Sequence, residues 1–449
     1  MRKYFGTDGV RGKANIFPMT SDFALKLGEA VGHKFRSIGT PPHQIVIGKD
    51  TRRSGYMFEA ALIAGICSQG VDAILTGVLP TPATSFVTHS LRANAGVVIS
   101  ASHNPYYDNG IKFFDASGQK LPDETEEELE HMIEAGVPLS TEHIGRATRI
   151  ETATGRYVEF VKTSFDKDLD LRGLKVVIDC ANGATYKVAP AAIEELGAVI
   201  TVINNKPNGI NINDNCGATA PEGMAEKVRE IGADIGISFD GDGDRLIACD
   251  SRGQIFDGDH IIGVCAISMK QQNRLVKNTI VATVMSNQGF VKSMNDYGIE
   301  VIRSQVGDRY VLECMKANGY NLGGEQSGHI IFSDYISTGD GLVSALQLLK
   351  VMIRSGKTLD KLTEGVVFFP QVLKNVLVPK KVPLENMPRT SKLIDDISKE
   401  LGNDGRVLVR YSGTENKIRV MIEGQNQDFI EQRAQDIVST FMKELDTVK

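Results

Sequence analysis

None of the six cysteines (Cys67, Cys180, Cys216, Cys249, Cys265 and Cys314) falls in a C-x-x-C pair. Scattered through a long chain, they read as reduced thiols and not as a disulfide framework. A secretory signal is missing too, because "MRKYFGTDGVRG" has no apolar core. No apolar run approaches the roughly 20 residues that cross a bilayer, which excludes a spanning helix. Positive charge is also in short supply. Fifty Lys and Arg against 56 Asp and Glu leave a net charge of −6, giving no general attraction for nucleic acid or anionic lipid. Any anionic ligand must be gripped locally by arginines and backbone amides. These absences predict a cytoplasmic protein with neither nucleic-acid nor membrane partners.

What is present is ordinary globular material, 41% hydrophobic and 24% charged. At 449 residues the chain predicts about three domains, with a range of roughly two to four. One pattern occurs three times. "IVIG" (45–48) leads through "KDTR" to an apolar helix over 56–68, Gly70 and "VDAIL". "KVVID" (175–179) leads through "CANGAT" to a helix over 187–196, Gly197 and "AVITVI". "TIVATV" (279–284) leads through "MSNQG" to a helix over 290–297, Gly298 and "IEVI". Strand, polar turn, glycine-capped helix and second strand imply mostly parallel, right-handed α/β layers, with ligand loops beyond the carboxyl ends of the strands. The last stretch differs. "GRVLVRYSGTENKIRVMIEG" (405–424) and a helix striped by Ile430, Ala434, Ile437, Phe441 and Leu445 read as a small α+β domain.

Some stretches carry no chemistry. "PDETEEELE" (122–130) reads as a solvated helix start, since carboxylates favour a helix N-terminus. "SGKT" (355–358) ends like a P-loop but lacks its earlier glycine and sits in a helical context.

The strongest chemical signal is "ISFDGDGDRL" (237–246), where a strand runs into Asp240, Asp242 and Asp244 separated only by glycines. Two carboxylates about 4 Å apart repel by roughly 4 kcal/mol at an effective dielectric near 20, so three in one turn call for a cation. Oxygen-only donors point to a hard ion, Mg²⁺ before Zn²⁺. An EF-hand would need glycine and glutamate where Arg245 and Ser251 stand. An aspartyl-phosphate phosphatase would make Asp240 the nucleophile, with Thr or Val expected in place of Asp244.

In "LVRYSGTENKIRVM" (408–421), Ser412, Gly413 and Thr414 offer hydroxyls and amides between Arg410 and Arg419, a pattern suited to a phosphate dianion. "GGEQSGH" (323–329) places Glu325, Ser327 and His329 on a glycine-rich connection, with side chains suited to sugar hydroxyls or an amine and to proton transfer. "FGTDGVRG" (5–12) is a glycine-rich turn holding Arg11, readable as turn or phosphate contact.

"VVISASHNPYYDNGIKFF" (97–114) ends a strand on Ser102. Neighbours on an extended segment point to opposite sides, so His103 is poorly placed as its base, and no G-x-S-x-G elbow surrounds it. A serine beside a hard metal, with arginines elsewhere, fits phosphoryl transfer.

Together "ASHNP", "DGDGDR", "GEQSGH" and "RYSGTEN" resemble, in order and over essentially the whole chain, the phosphoserine, metal, sugar and phosphate loops of the α-D-phosphohexomutase superfamily. "FGTDGVRG", "GININDNCGAT" (209–219), "MSNQG" and "VGDRYV" (306–311) resemble its bacterial amino-sugar branch. The resemblance implies three related mixed or parallel α/β domains (1–150, 151–253 and 254–370) plus an α+β domain (371–449), heart-shaped around a central cleft. It implies an isomerase that shifts phosphate between O6 and O1 of glucosamine through phosphorylated Ser102 and a 1,6-bisphosphate, toward UDP-N-acetylglucosamine and cell wall. A hexose 1,6-bisphosphate would serve as activator, and the protein would be a monomer or homodimer. Ser102, Asp240, Asp242 and Asp244 would hold Mg²⁺. Lys112 and His329 would be acid/base candidates, Arg11 and Arg245 would steady phosphate, and Glu325 and Ser327 would hold sugar hydroxyls. Arg410, Ser412, Gly413, Thr414 and Arg419 would grip the other phosphate. A glucose or mannose phosphate mutase shares these motifs, and a non-catalytic phosphosugar-binding protein is the remote alternative. The family's phosphate loop usually reads R-P-S-G-T-E-P; Tyr411 and Asn416 replace both prolines, which predicts a more mobile unbound loop and weaker substrate affinity.

Overall fold

The first two repeats fold as read. In the computed structural model, which describes residues 3–6, 8–38, 41–139, 142–411 and 416–445, strand Gln44–Lys49 leads through helix Ser54–Ser68 to Asp72–Val78, its parallel partner. Lys175–Asp179 pairs parallel with Val199–Ile203 across helix Val188–Glu195. The third repeat supplies strand Thr279–Thr283 and helix Gln288–Asp296. Gly70, Gly197 and Gly298, which follow the three helices, all have positive φ (77°, 99° and 66°), a region glycine enters at no steric cost.

Two compact bodies result. Residues 1–284 and 302–362 form one, and residues 285–301 and 363–449 the other. The first body holds a six-stranded sheet in the order Val10–Lys13, Asp108–Asp115, Ala95–Ile99, Gln44–Lys49, Asp72–Val78, Ala147–Arg149. Five of its strands run the same way, and Asp108–Asp115 alone is reversed, antiparallel to both Ala95–Ile99 and Val10–Lys13. A five-stranded sheet follows in the order Ile255–Phe256, Leu246–Asp250, Ile235–Phe239, Lys175–Asp179, Val199–Ile203. In the third sheet Thr279–Thr283 pairs parallel with Leu322–Gly324, which pairs antiparallel with Ile330–Phe332. Strand cores such as Ile45, Ile47 and Val97 are buried with Leu27, Val31, Leu62 and Ile66, each apolar side chain contributing about 1.5–3 kcal/mol. No helix among the described residues is long and apolar enough to cross a membrane.

The second body contains the antiparallel sheet Gln371–Leu377, Lys417–Gly424, Gly405–Tyr411. Helices Pro388–Leu401 and Gln427–Leu445 cover it, and Ile430, Ala434, Ile437, Phe441 and Leu445 are all buried. "SGKT" is the end of helix Gly341–Ser355 with left-handed Gly356 as its C-cap, not a phosphate loop.

The acidic stretch is only half solvated. Helix Asp123–Ala135 exposes Asp123 and Glu124 but buries Glu126 and Glu130. Glu130 accepts the backbone N–H groups of Lys3, Tyr4 and Phe5 at 2.6–3.0 Å, anchoring the segment that enters the first strand.

Candidate active site

Ser102 follows the buried strand Ala95–Ile99 and adopts φ 51°, a left-handed conformation that a serine keeps only when its surroundings hold it. Arg52 does much of that holding. Fully buried, its guanidinium donates to the carbonyls of Ser102 (2.9 Å), Asn104 (2.8 Å), Pro105 and Asp108 (3.1 Å), and its Nε to Asp50 Oδ2 (2.8 Å). Asn213 donates to the Ser102 and Asn104 carbonyls at 2.9 and 3.1 Å. The Ser102 amide donates to Ser100 Oγ, which donates in turn to Asp50.

The aspartates occupy the turn between Ile235–Phe239 and its antiparallel partner Leu246–Asp250. That turn approaches the serine loop so closely that a Cβ on Gly241 would lie 2.6 Å from the Ser102 carbonyl oxygen. Its backbone is tied on three sides: Thr81 N–H to Asp242 O (2.9 Å), Ala184 N–H to Gly241 O (2.8 Å) and Gly341 N–H to Gly243 O (3.0 Å). Ser102 Oγ donates to Asp240 Oδ2 at 2.6 Å.

One carboxylate oxygen from each of Asp240, Asp242 and Asp244 lies within 4.8 Å of the others, and all three residues are buried. At that spacing each ionised pair repels by roughly 3–4 kcal/mol at an effective dielectric near 20. Burial, then the charges of Asp244 and Asp242, push the Asp240 carboxyl well above its ordinary range. Asp242 Oδ1 and Asp244 Oδ1 are buried with no hydrogen-bond partner among the described residues. Two orphaned anionic oxygens beside a third carboxylate make a hard-cation donor set, so these residues fit Mg²⁺.

Cations surround this cluster. Lys112 Nζ lies 3.1 Å from Asp242, 3.0 Å from Asp8 and 4.0 Å from Asp244. Burial opposes its charge, but Asp242 and Asp8 outweigh that and hold the ammonium well above its usual range. Asp8 also pairs with Arg11, and with Lys120 at 2.6 Å; Lys120 continues to Asp308. Asp308 lies 3.6 Å from His329 Nε2, and His329 Nδ1 lies 3.5 Å from Asp244. A closed ring of alternating charge therefore runs Asp244, Lys112, Asp8, Lys120, Asp308, His329 and back.

Burial alone would lower the His329 pKa, yet Asp244, then Asp308 and Glu325, raise it to about 9. The Gly339 amide donates to Nε2 at 3.2 Å, which suits the neutral Nδ1–H tautomer. Two facing carboxylates outweigh that one amide and favour the protonated ring.

His103 corrects an expectation. Because Ser102 is left-handed and not extended, His103 Nδ1 comes within 3.4 Å of Ser102 Oγ instead of pointing away. The serine proton is nevertheless directed at Asp240. Burial, then Arg245 and Arg11, drive His103 down to about 4. Arg11 Nε and Arg245 Nε are buried without a hydrogen-bond partner among the described residues, a donor surplus suited to an anion.

Ser102, Asp240, Asp242, Asp244, Lys112, His329, Arg11 and Arg245 thus meet in the first body. Glu325 is half-buried, accepts the Gly307 amide at 3.0 Å and lies in the turn preceding His329; Ser327 is exposed. In the second body Arg410 and Arg419 are directly opposed on neighbouring strands, which sets two guanidinium side chains on one face of the sheet. Ser412, Gly413 and Thr414 lie outside the described residues. Both replaced prolines are tied at the loop's ends. Tyr411 Oη donates to Val382 O (2.7 Å) and accepts from Val382 N–H (3.0 Å), while Asn416 O accepts from Val378 N–H (2.9 Å).

Family models of phosphoglucomutase/phosphomannomutase match in order: α/β/α domain I over residues 2–138, domain II over 155–253, domain III over 257–367 and the C-terminal domain over 373–440. The chain belongs to the phosphoglucomutase/phosphomannomutase family. Within it, the chain is 53% identical to phosphoglucosamine mutase of Syntrophotalea carbinolica over 449 residues, covering 99% of this chain and 98% of the relative. It is 54% identical over 450 residues to phosphoglucosamine mutase of Geotalea uraniireducens, covering 99% of each. A solved phosphoglucomutase/phosphomannomutase family protein of Burkholderia thailandensis shares the fold at TM-score 0.79 and 24% identity, over 100% of this chain and 98% of that one. N-acetylphosphoglucosamine mutase of Aspergillus fumigatus, solved with GlcNAc-6P and magnesium, shares it at TM-score 0.62 and 18% identity, over 90% and 84% of the two chains.

Reading the sequence missed Arg52, Thr81, Asn213, Asp8, Lys120 and Asp308, which contact these candidate residues directly or through one another. Thr81 donates to Asp242 Oδ2 at 2.6 Å and fixes that carboxylate's orientation. Arg52 lies in the "KDTR" turn and Asp308 in "VGDRYV", so each had a local signal but no indication of its partner.

Proposed function

We propose that the protein is a phosphoglucosamine mutase, an isomerase interconverting glucosamine 6-phosphate and glucosamine 1-phosphate through phosphorylated Ser102. The observation that carries this reading is the Ser102 hydroxyl on Asp240, within the three-aspartate cluster, in a chain about half identical over its full length to enzymes of that name.

Asp240, Asp242 and Asp244, with an oxygen of phosphorylated Ser102, would hold Mg²⁺. When bound, that ion supplies charge compensation for the phosphoryl group. The chain's own part is positioning and electrostatics. Arg52 and Asn213 hold the serine loop in its left-handed form. Arg11 and Arg245 bring unsatisfied guanidinium donors to the phosphate. Attack by the sugar O1 on the phosphoserine phosphorus forms one P–O bond and breaks that to Oγ, the O1 hydroxyl giving up its proton as Oγ regains one, and yields the 1,6-bisphosphate. After the bisphosphate turns end for end, Oγ takes the phosphate from O6. Lys112 and His329 are the acid/base candidates, and the carboxylates around both favour their protonated forms, which suits donation to a departing oxygen.

Glu325 and Ser327 are assigned to sugar hydroxyls. Arg410, Ser412, Gly413, Thr414 and Arg419 are assigned to the phosphate not being transferred; the opposed arginines support that assignment. A hexose 1,6-bisphosphate would prime Ser102. A cytoplasmic setting fits six unpaired cysteines.

The test compares kcat/KM for glucosamine, glucose and mannose phosphates after priming with glucosamine 1,6-bisphosphate and Mg²⁺. A preference of about 100-fold for glucosamine, close to 3 kcal/mol of transition-state discrimination, is expected. Equal or better use of glucose or mannose phosphate would move the protein to the broader hexose branch. Sugar binding with no turnover, in a phosphorylated sample, would leave a binding protein.

A further inference from the structure

Three segments far apart in sequence converge on one ammonium group. Lys120 Nζ lies 2.6 Å from Asp8 Oδ1 and also pairs with Asp308 Oδ2. Asp8 uses its other oxygen on Lys112 (3.0 Å) and Arg11, and Asp308 faces His329 Nε2 at 3.6 Å. We propose that Lys120 is a positioning residue of the reaction centre, holding Asp8 against Lys112 and Arg11 and Asp308 against His329. The proposal rests on the reading of Lys112, Arg11 and His329 as groups around the transferred phosphate.

Distance and charge carry the argument. Asp242 Oδ2 is shared between Thr81 and Lys112. Asp8 gives Lys112 a second carboxylate at 3.0 Å, and Lys120, on the other oxygen of Asp8, holds that carboxylate beside Lys112 and Arg11. The same Lys120 holds Asp308 at the start of helix Asp308–Asn318, beside the His329 imidazole. Arg309 reinforces this junction through Asp123 and the Leu121 carbonyl (2.7 Å), and Lys316 through Gln119. Lys120 contacts none of the three aspartates of the metal cluster in these pairings, so its effect is separable from metal binding. A cavity of 210 Å³ beside Lys120, Asp308 and His329 leaves room for a longer cationic side chain at position 120.

The experiment uses the full chain, primed with glucosamine 1,6-bisphosphate and assayed with Mg²⁺. Lys120→Met should lower kcat by about 100-fold, the scale of a misplaced reacting group, while KM and the Mg²⁺ half-saturation each stay within about threefold. Lys120→Arg should recover kcat to within about fivefold of wild type, as a purely steric role would not. Wild-type kcat in Lys120→Met, or no recovery in a folded Lys120→Arg, overturns the proposal. If Lys120→Met does not fold, the charge-balanced Lys120→Met/Asp308→Asn takes its place, with loss of kcat supporting the proposal and wild-type kcat overturning it. Lys112→Met separates the two readings. An inactive Lys112→Met beside a fully active Lys120→Met sinks only the positioning role, whereas a fully active Lys112→Met sinks the reading beneath it.

Discussion

The Ser102 hydroxyl donates to Asp240 Oδ2 at 2.6 Å, joining loops 138 residues apart at the carboxyl ends of two different sheets. A phosphate on that oxygen would lie beside the aspartate cluster. Ser102→Ala should therefore lower kcat by about 10³-fold or more and abolish uptake of one phosphate per chain from glucosamine 1,6-bisphosphate, by intact mass. Its circular dichroism and thermal midpoint should stay close to wild type, because Arg52 and Asn213 hold the loop through the residue's backbone carbonyl and not its side chain. Turnover at the wild-type rate would end the phosphoserine mechanism.

Asp242 is a ligand candidate pre-oriented by Thr81 at 2.6 Å and Lys112 at 3.1 Å, with Oδ1 left over. Asp242→Asn should raise the Mg²⁺ concentration for half-maximal activity by about tenfold or more and lower kcat with it. Without metal the same variant should be no less stable than wild type, since one of three crowded charges is gone. Mg²⁺ titrations of both activity and thermal midpoint check this. An unchanged titration removes Asp242 from the metal site.

The parts visible in the sequence were those whose signal is local. Glycine after each repeat helix, aspartates alternating with glycine, a serine at a strand end and the stripe from Ile430 to Leu445 each depend on residues a few positions apart. The remainder depends on tertiary partners. Arg52 reaches carbonyls 50–56 positions away, and Asn213 reaches back 111 to the same serine loop. Glu130 looked like one more solvated carboxylate until its three backbone donors, some 125 residues away, came into view. His103 shows a different failure. Alternation of side chains holds only for an extended backbone, and the left-handed φ of Ser102 removes that premise.

Arg52 suggests a stability test distinct from catalysis. Arg52→Met would remove a donor from four carbonyls, two of which keep Asn213, and leave Asp50 buried beside an apolar stem. Breaking a buried pair this way costs about 3–5 kcal/mol, so the urea midpoint should fall sharply. Asp50→Asn/Arg52→Met should recover part of that loss, because no uncompensated charge remains, yet should not recover turnover, because the serine loop is still unclamped. A double variant no more stable than Arg52→Met would show that the carbonyl contacts, not the charge pair, dominate.

Asp340 provides the pH test. Its carboxylate caps helix Gly341–Ser355, accepting from Leu342 and Val343 N–H, and Tyr157 donates to it at 2.9 Å. Burial outweighs these donors and raises its pKa to about 6, against 3.8 when unperturbed. A raised carboxyl binds its proton more tightly in the native state than in the unfolded one. Its favourable contribution is thus complete below about pH 4 and is lost as pH rises through about 6, a span worth roughly 3 kcal/mol at 1.36 kcal/mol per unit. Asp340→Asn keeps a side-chain oxygen for both helix amides and the tyrosine but cannot ionise. Subtracting its urea-unfolding free energy from that of wild type should therefore give a difference that falls by about 2 kcal/mol between pH 4 and pH 6, most of the roughly 3 kcal/mol total, and stays nearly level from pH 7 to 8. A difference that is flat from pH 4 to 8 would mean that Asp340 keeps an ordinary pKa in the folded chain and that its hydrogen bonds fully repay its burial.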